Sequence, residues 1–215
     1  MRIDIYSDTI CPWCFIGKRR LEAARTARPE VPVDIHWRPF QLNPDMPSNG
    51  IARDTYLALK FGGEARARQI YDMIREAGKS TGIDFNFDGI RRTPNTINSH
   101  RMIHFAQTRG NAEPVVENLF RAYFLYGLDI GERERLIEIG SSSGLDVGEL
   151  TRYLNSDEDV ATIKEEDLRA RQRLGIDGVP HFIIDRLYAI ASAQEPEAFM
   201  PLFDLARVEP TSVGE

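Results

Sequence analysis

The chain has 215 residues, of which 42% are hydrophobic and 28% charged, enough for one large domain that buries a core without covalent cross-links. The 33 acidic and 27 basic side chains give a net charge of −6, so no basic excess exists to neutralise phosphates, and nucleic acid is excluded as the main partner. Because no apolar run could span a bilayer and the N-terminus lacks the apolar middle of a signal peptide, we expect no membrane partner and a cytoplasmic location.

The first 40 residues predict a β-α-β unit. Residues 2–7 and 31–38 alternate apolar and polar side chains, which is typical of strands. Residues 12–28 predict a helix, which Pro29 ends. Because crossovers of this kind are right-handed, the two strands are expected to be parallel.

The middle of the chain shows helical patterns and little strand. A charged helix is predicted over 157–174, with Ser156 as its N-cap and acidic residues in its first turn, where they complement the helix dipole. The other predicted helices lie near 51–61, 64–78, 95–109, 113–126, 132–143 and 146–155.

Strand patterns return near the end. Residues 182–184 and 188–190 predict a hairpin, residues 195–207 predict a closing helix, and the tail from Pro210 to Glu215 is expected to fray. The order is therefore β-α-β, a long helical stretch, then α-β-β-α.

This order predicts an α/β protein with a thioredoxin-like fold and a large helical insertion. Residues 1–41 and 157–210 would form the thioredoxin-like domain, and residues 42–156 the inserted helical domain.

Both cysteines of the chain lie in one short motif, Cys11-Pro12-Trp13-Cys14. In a reducing cytosol such a pair is more often catalytic or metal-binding than a structural disulfide. It opens the first helix, where unpaired N–H groups and the helix dipole favour a thiolate at Cys11, and where Pro12 suits the first helical position. We interpret Cys11 as an accessible nucleophile and Cys14, one turn later, as the more buried resolving thiol.

Trp13 is expected to tune the pair, because an uncharged aromatic adds no positive charge, as a histidine would, and so favours a less oxidising couple. Two other interpretations of the pair remain open. It could be a structural pair of reduced thiols. It could also bind zinc with His100 and His104, which have metal-ligand spacing on a predicted helix. However, roughly 85 residues separate the cysteines from the histidines, so we expect no metal.

Four segments carry a resemblance to a known family. They are residues 8–18 (DTICPWCFIGK), 95–101 (NTINSHR), 119–124 (LFRAYF) and 175–180 (GIDGVP). With them, nearly the whole chain resembles the DsbA family of thioredoxin-fold oxidoreductases. Within that family it is similar to the FrnE-like branch, which groups near 2-hydroxychromene-2-carboxylate isomerases and kappa-class glutathione transferases.

The resemblance implies a second half of the site. The Val179–Pro180 peptide bond would be cis and face the dithiol, and Val179 would present its backbone N–H and C=O to an extended substrate. The insertion would cover one side of the dithiol, with Asn98 and His100 lining a groove, and His181 would flank the site. An ordinary trans proline, and packing roles for Asn98 and His100, are the alternatives.

Two departures from the family pattern lie near the last hairpin. Relatives often carry glycine where this chain has Asp185-Arg186, so we expect a turn other than the primed type. A glycine common in relatives is replaced near Ser192. The isomerase and transferase relatives have serine where this chain has Cys11, which favours dithiol chemistry here.

The sequence therefore predicts a thiol–disulfide oxidoreductase, a reductase or disulfide isomerase, for protein or small-molecule disulfides. It would need a reducing partner, the thioredoxin or glutathione system. No tightly bound cofactor is expected, although glutathione could serve as a co-substrate, and a homodimer is allowed. A glutathione-dependent isomerase or transferase of a small aromatic substrate is the alternative, and a redox-sensing binding module is a third class.

Overall fold

The structure is a computed structural model that describes residues 1–110 and 112–206. Its strands are β1 (Arg2–Ser7), β2 (Asp34–Pro39), β3 (Ile51–Ala52), β4 (Arg92–Thr93), β5 (His181–Ile184) and β6 (Tyr188–Ala191). Its α-helices are α1 (Pro12–Ala27), α2 (Arg53–Phe61), α3 (Glu64–Lys79), α4 (Ile97–Gln107), α5 (Ala112–Phe124), α6 (Arg133–Ser142), α7 (Val147–Leu154), α8 (Val160–Arg173) and α9 (Met200–Ala206). Short 3-10 helices lie at Phe87–Gly89 and Pro196–Ala198.

A four-stranded sheet with the order β2-β1-β5-β6 forms the centre of the fold. Strands β1 and β2 are parallel, as predicted, and β5 runs antiparallel to both β1 and β6. Strand β2 begins at Asp34 rather than at residue 31, because β1 begins at Arg2, which pairs with Asp34, and the three residues before Asp34 have no strand beside them. The α/β thioredoxin-like fold with a helical insertion is thus confirmed.

One face of the sheet carries the apolar core. Ile3, Ile5 and Phe182 are buried on this face, where Ile5 lies opposite Phe182 in the β1–β5 pair. Phe182 packs edge-on against Phe199, just before α9, with ring centroids 5.2 Å apart. Since burial of each such side chain contributes about 1.5–3 kcal/mol, this face holds α1 and α9 to the sheet.

The opposite face carries charges and is covered by α8. Asp4 accepts hydrogen bonds from Arg2 and Arg38, each from a neighbouring position on the sheet. These bonds outweigh burial and lower the pKa of Asp4. Arg38 also lies 3.6 Å from Glu166 of α8, so the ion pairs connect this helix to the strands.

The insertion, which runs from the end of β2 to the start of α8, packs against α1 through aromatic rings. Phe15 of α1 stacks on Phe120 of α5 at a centroid distance of 5.1 Å and meets Phe85 edge-on at 6.1 Å. Phe85 in turn stacks on Phe87 at 4.8 Å. The helix that follows the cysteines is therefore fixed by the insertion as well as by the sheet.

Two details of the insertion differ from the sequence prediction. A two-stranded antiparallel sheet pairs β3, at the start of the helix predicted over 51–61, with β4, which lies between two predicted helices. Two residues per strand are too few to show an alternating pattern. Helix α8 begins at Val160, so Ser156 as its N-cap was wrong, and Asp159 holds that position with φ of 60°. Ser156 instead accepts a hydrogen bond from the Glu158 N–H within the preceding turn.

The final hairpin has the primed turn that the sequence prediction excluded. Asp185 and Arg186 have φ of 49° and 62°, and the Leu187 N–H donates to the Ile184 carbonyl. Asp185 tolerates this conformation because it exchanges two hydrogen bonds with Arg2: its carboxylate accepts from the Arg2 N–H at 2.6 Å and its own N–H donates to the Arg2 carbonyl. The closing helix is split into a 3-10 turn and α9; its predicted last residue and the tail from Pro210 lie outside the described residues.

Candidate active site

The cysteine motif lies where β1 gives way to α1. Cys11 is the N-cap of α1, with extended backbone angles (φ −92°, ψ 112°), and Pro12 occupies the first turn, as predicted. The Cys11 N–H donates to the Asp8 carbonyl at 3.0 Å, and the Cys11 carbonyl accepts from Cys14 and Phe15. The Cys11 sulfur thus lies at the helix end that favours a negative charge.

Both cysteines are free thiols, and both are buried: Cys11 is 4% exposed and Cys14 1%. The expectation of an accessible Cys11 was wrong for this structure. Its Sγ–H donates to the Val179 carbonyl at 3.5 Å, so the loop before β5 covers the sulfur. Trp13, between the cysteines, is 38% exposed and forms the outer surface of the motif.

The environment of Cys14 disfavours its thiolate. Burial raises the pKa of the Cys14 thiol well above its usual value, and a hydrogen bond with Cys11 raises it further. The Ser7 hydroxyl and the Asp8 backbone act in the opposite direction but more weakly. Cys14 is therefore held as a thiol, which agrees with the resolving role that the sequence predicts.

The loop before β5 supplies the other side of the site. The Val179–Pro180 peptide bond is cis, and Pro180 packs against α1 at Gly17. A Cβ on Gly17 would lie 2.8 Å from Pro180 Cγ and 3.2 Å from Phe182 Cζ, so only glycine lets the helix come this close. The sequence assigned no role to Gly17, because its contact partner Pro180 is distant in the chain.

His181, the first residue of β5, lies half-buried beside the loop. It pairs with Tyr6 on one side and Ala191 on the other. Burial lowers its pKa, and Asp177 opposes that effect. His181 therefore follows the Pro180 loop directly, and its burial favours the neutral imidazole.

A buried carboxylate–histidine pair lies behind the motif. Asp8 is fully buried; its Oδ2 accepts from the Leu42 N–H at 2.6 Å, while its Oδ1 lies 3.4 Å from Nε2 of His100, beyond good hydrogen-bond geometry. The Thr9 hydroxyl bonds Ser99 at 2.8 Å. Helix α4 thus contacts the turn before the cysteines through His100 and Ser99. The sequence analysis assigned no role to Asp8, because a single acidic residue after a strand forms no recognisable motif.

Asn98 does not contact the dithiol through any hydrogen bond that the described residues form. Its Oδ1 accepts from Arg101 at 2.9 Å, and the buried Arg101 donates to the carbonyls of Tyr153 and Glu158. Asn98 therefore orients an arginine that connects α4 to the turn after α7. His104, one helical turn after His100 on α4, has its Nε2 3.7 Å from a carboxylate oxygen of Asp159. His100 faces Asp8 instead, so the two histidines lie against different carboxylates.

Tyr56 of α2 is a further buried residue near the motif. Burial raises the pKa of its phenol, and a hydrogen bond with Asn43 opposes this, while Asp8 and Cys11 are close enough to act on it electrostatically. A single tyrosine in a predicted helix gives no signal of such a position. The insertion thus contributes at least Tyr56 and His100 to the surroundings of the cysteines.

A thioredoxin-like sheet with a Cys-x-x-Cys motif at the start of its first helix defines a thioredoxin-fold protein with a dithiol site. Residues 2–203 match the family described as DSBA-like thioredoxin domain. The chain belongs to this family of DsbA-like thiol–disulfide oxidoreductases. Its placement in the FrnE-like branch stays a prediction.

Individual proteins show the same likeness. The uncharacterised protein YwbO of Bacillus subtilis is 25% identical over 184 residues, 86% of each chain. A probable DsbA oxidoreductase from Streptomyces coelicolor superposes with a TM-score of 0.87 at 29% identity, covering 100% of this chain and 93% of that one. A cytosolic disulfide reductase, DsbM from Pseudomonas aeruginosa, solved with GSH, shares the fold, with a TM-score of 0.66 at 20% identity over 96% of both chains.

None of the helices in the described part of the chain has the length and apolarity that a membrane span requires.

Proposed function

We propose that the protein is a thiol–disulfide oxidoreductase, acting as a reductase or disulfide isomerase, with Cys11 as the attacking thiol and Cys14 as the resolving thiol. One observation carries the proposal. The Cys11 sulfur lies at the N-terminus of α1 and 3.5 Å from the carbonyl of Val179, next to Pro180, while Cys14 is buried one turn behind it.

The chemistry proceeds in two exchanges. The Cys11 thiolate attacks one sulfur of a substrate disulfide, forms a mixed disulfide with it, and releases the other sulfur as a thiolate that takes up a proton. Cys14 then loses its proton and attacks the Cys11 sulfur, which releases the second substrate thiol and forms the Cys11–Cys14 disulfide. Two electrons pass from the enzyme to the substrate, and a thioredoxin or glutathione system must supply two further electrons and two protons to reduce the Cys11–Cys14 disulfide again.

The loop before β5 is the proposed substrate contact. An extended substrate would donate a backbone N–H to the Val179 carbonyl, in place of the Cys11 thiol that now donates to it, and would accept from the Val179 N–H. His181 would flank that substrate. Because Cys11 is only 4% exposed, a narrow substrate such as an extended peptide or a glutathione disulfide suits the site better than a disulfide within a rigid surface. We propose cytoplasmic action, glutathione as a co-substrate, and no resident cofactor or metal; a homodimer is compatible with this scheme.

The alternative, a glutathione-dependent isomerase or transferase, has less support. It would need Asn98 and His100 free to hold a substrate, but Asn98 is bonded to Arg101, and His100 faces Asp8. It would also leave Cys14 without a role.

Substitution of each cysteine tests the proposal. Reduction of insulin is measured with glutathione, glutathione reductase and NADPH for the wild type, Cys11→Ser and Cys14→Ser. We expect both variants to fall to the uncatalysed rate, because each removes one of the two exchanges. Circular dichroism provides the control for folding. Full activity of Cys14→Ser would contradict the dithiol mechanism and favour the isomerase.

A further inference from the structure

Arg53, the first residue of α2, is a buried cation to which the described residues offer no anionic partner. It is 8% exposed, and its guanidinium donates only to hydroxyl groups, those of Thr93 at 3.0 Å, Tyr123 at 3.3 Å and Tyr71. Its Nε has no hydrogen-bond partner among the residues that the structure describes. No carboxylate in the described part of the chain lies within ion-pair distance of it.

This arrangement is costly for a structural arginine. A buried charge loses several kcal/mol of hydration, which neutral hydroxyls restore only in part. By contrast, the buried Lys18 has two carboxylates, Glu22 and Glu117. The chain thus gives Lys18 carboxylates, whereas Arg53 has three hydroxyl groups and the ring faces of Tyr56 and Tyr71, whose centroids each lie 5.3 Å from its guanidinium carbon. These neutral contacts and the orphaned Nε leave a place for an anion from outside the chain.

A cavity of about 250 Å³ opens beside Arg53. Four arginines line it against two aspartates, and we call it the Arg53 cavity; besides Arg53, its arginines are Arg68, Arg75 and Arg91, and its aspartates Asp54 and Asp88. Asp88 is already bound by Arg75 at 2.9 Å. The volume suits a small anion rather than a drug-sized ligand.

Tyr71 adds a hydrogen-bond donor to the wall of this cavity. Its oxygen accepts from Arg53, which leaves its O–H free to donate. Burial raises the pKa of Tyr71 to about 12, so the phenol keeps this proton at physiological pH. Arg91, which is exposed at the cavity, offers a further cationic donor.

We propose that the Arg53 cavity binds the oxyanion group of a small molecule, a phosphate or a carboxylate, between Arg53, Tyr71 and Arg91. The buried guanidinium supplies charge in a low-dielectric surrounding, Tyr71 supplies a neutral donor, and Arg91 closes the outer side. Neither cysteine nor the Pro180 loop lines this cavity, so the site is separate from the dithiol.

The test is a titration of the reduced full chain with inorganic phosphate and, separately, with glutarate. Isothermal calorimetry and thermal unfolding are measured at one ionic strength, made up with sodium chloride. The variants are Arg91→Ala, Tyr71→Phe and Arg53→Lys. Arg173→Ala, at the exposed end of α8, is the matched control.

We expect saturable binding of at least one of the two anions. The anion with the lower Kd shows whether the cavity prefers a phosphate or a carboxylate group. Arg91→Ala and Tyr71→Phe should each raise the Kd about tenfold, since each removes one hydrogen bond to a charged group. Arg53→Lys should raise it further, whereas Arg173→Ala should leave it unchanged. If Arg53→Lys does not fold, the other two variants still decide the question.

Two results would overturn the proposal. One is that neither anion binds beyond the effect of sodium chloride, which would make Arg53 a purely structural residue. The other is that Arg91→Ala and Tyr71→Phe bind as tightly as the wild type, which would place the anion elsewhere. Neither result depends on the thiol chemistry.

Discussion

Cys11 and Cys14 differ in environment although one helical turn separates them. Cys11 lies at the N-terminus of α1 with its sulfur against a carbonyl, while Cys14 is enclosed and its pKa is raised by burial. The thiolate is the reactive form of cysteine, so the same reagent should distinguish the two. This asymmetry supports the proposed order, in which Cys11 attacks and Cys14 resolves.

Alkylation of the reduced protein tests this asymmetry. With iodoacetamide at pH 7, we expect Cys11 to react about tenfold faster than Cys14 or more, because little of Cys14 is thiolate. Peptide mass spectrometry reads the two rates, and the Cys14 rate should still rise with pH above about 8.5, the ordinary pKa of a cysteine, because burial raises the pKa of Cys14 well above its ordinary value. Equal rates at pH 7, or faster modification of Cys14, would contradict the assignment.

At the scale of elements, the distance between α1 and the loop before β5 determines the site. Gly17 permits the approach, since any Cβ there would meet Pro180 at 2.8 Å. The loop in turn contacts the Cys11 sulfur through Val179. A small displacement of the helix would therefore separate the attacking sulfur from the backbone that we propose to hold the substrate.

Gly17→Ala should weaken both stability and activity. Overpacking at such a contact costs about 1–3 kcal/mol, which exceeds the gain that alanine brings in a helix. Gly148→Ala is the matched control, because Gly148 also lies in a helix but its nearest atom, a side-chain oxygen of Asp146, is at an ordinary 3.4 Å. Urea unfolding measures the stability of the two variants, and insulin reduction measures their activity. Wild-type values for Gly17→Ala would contradict the proposed role of this contact.

At the scale of the molecule, buried ion pairs connect α1 to the insertion. Lys18, only 6% exposed, binds Glu117 of α5 at 2.8 Å. Burial raises the pKa of Glu117, but Lys18 and Arg19 outweigh it and leave the pKa below the ordinary value. A lowered pKa in the folded state means that Glu117 stabilises the fold above pH 4.5 and loses this effect as the pH falls below it.

Glu117→Gln should lower the free energy of unfolding by about 1–3 kcal/mol at pH 7, because it removes one of the two carboxylates of a buried lysine. Glu113→Gln is the control on the same helix; its pair with Arg25 is largely exposed, so the cost should stay below about 1 kcal/mol. The difference in free energy of unfolding between the wild type and Glu117→Gln should decrease as the pH falls below 4.5, where Glu117 becomes protonated. An equal cost for both variants, or a gap independent of pH, would contradict this account.

Local signals predicted most of the fold. Strand alternation and the Cys-Pro-Trp-Cys motif located β1, α1 and Cys11 as the N-cap, because each depends on neighbours in sequence. The burial of Cys11, the approach of Gly17 to Pro180 and the Asp8–His100 pair depend on residues far apart in the chain, and no local pattern encodes them. The turn at Asp185 was mispredicted for the same reason, since β1 stabilises it from outside.

The start of α8 likewise depends on a residue far away in the chain, which no local pattern predicts. The acidic residues that precede α8 have the composition of a capped first helical turn. In the structure, however, Arg101 of α4 donates hydrogen bonds to the carbonyls of Ser156 and Glu158, and this segment is a turn. These hydrogen bonds from Arg101 accompany a helix that begins at Val160, later than predicted.

The central claim, that Cys11 attacks and Cys14 resolves, is tested most directly by trapping the mixed disulfide. Reduced Cys14→Ser is mixed with glutathione disulfide, quenched with acid and examined by mass spectrometry. We predict that one glutathionyl group accumulates on Cys11, because the thiol that would displace it is absent, whereas the wild type passes to the Cys11–Cys14 disulfide and Cys11→Ser reacts slowly. Adduct formation on Cys14 in Cys11→Ser at the rate seen for Cys11, or no adduct on Cys11, would contradict the mechanism.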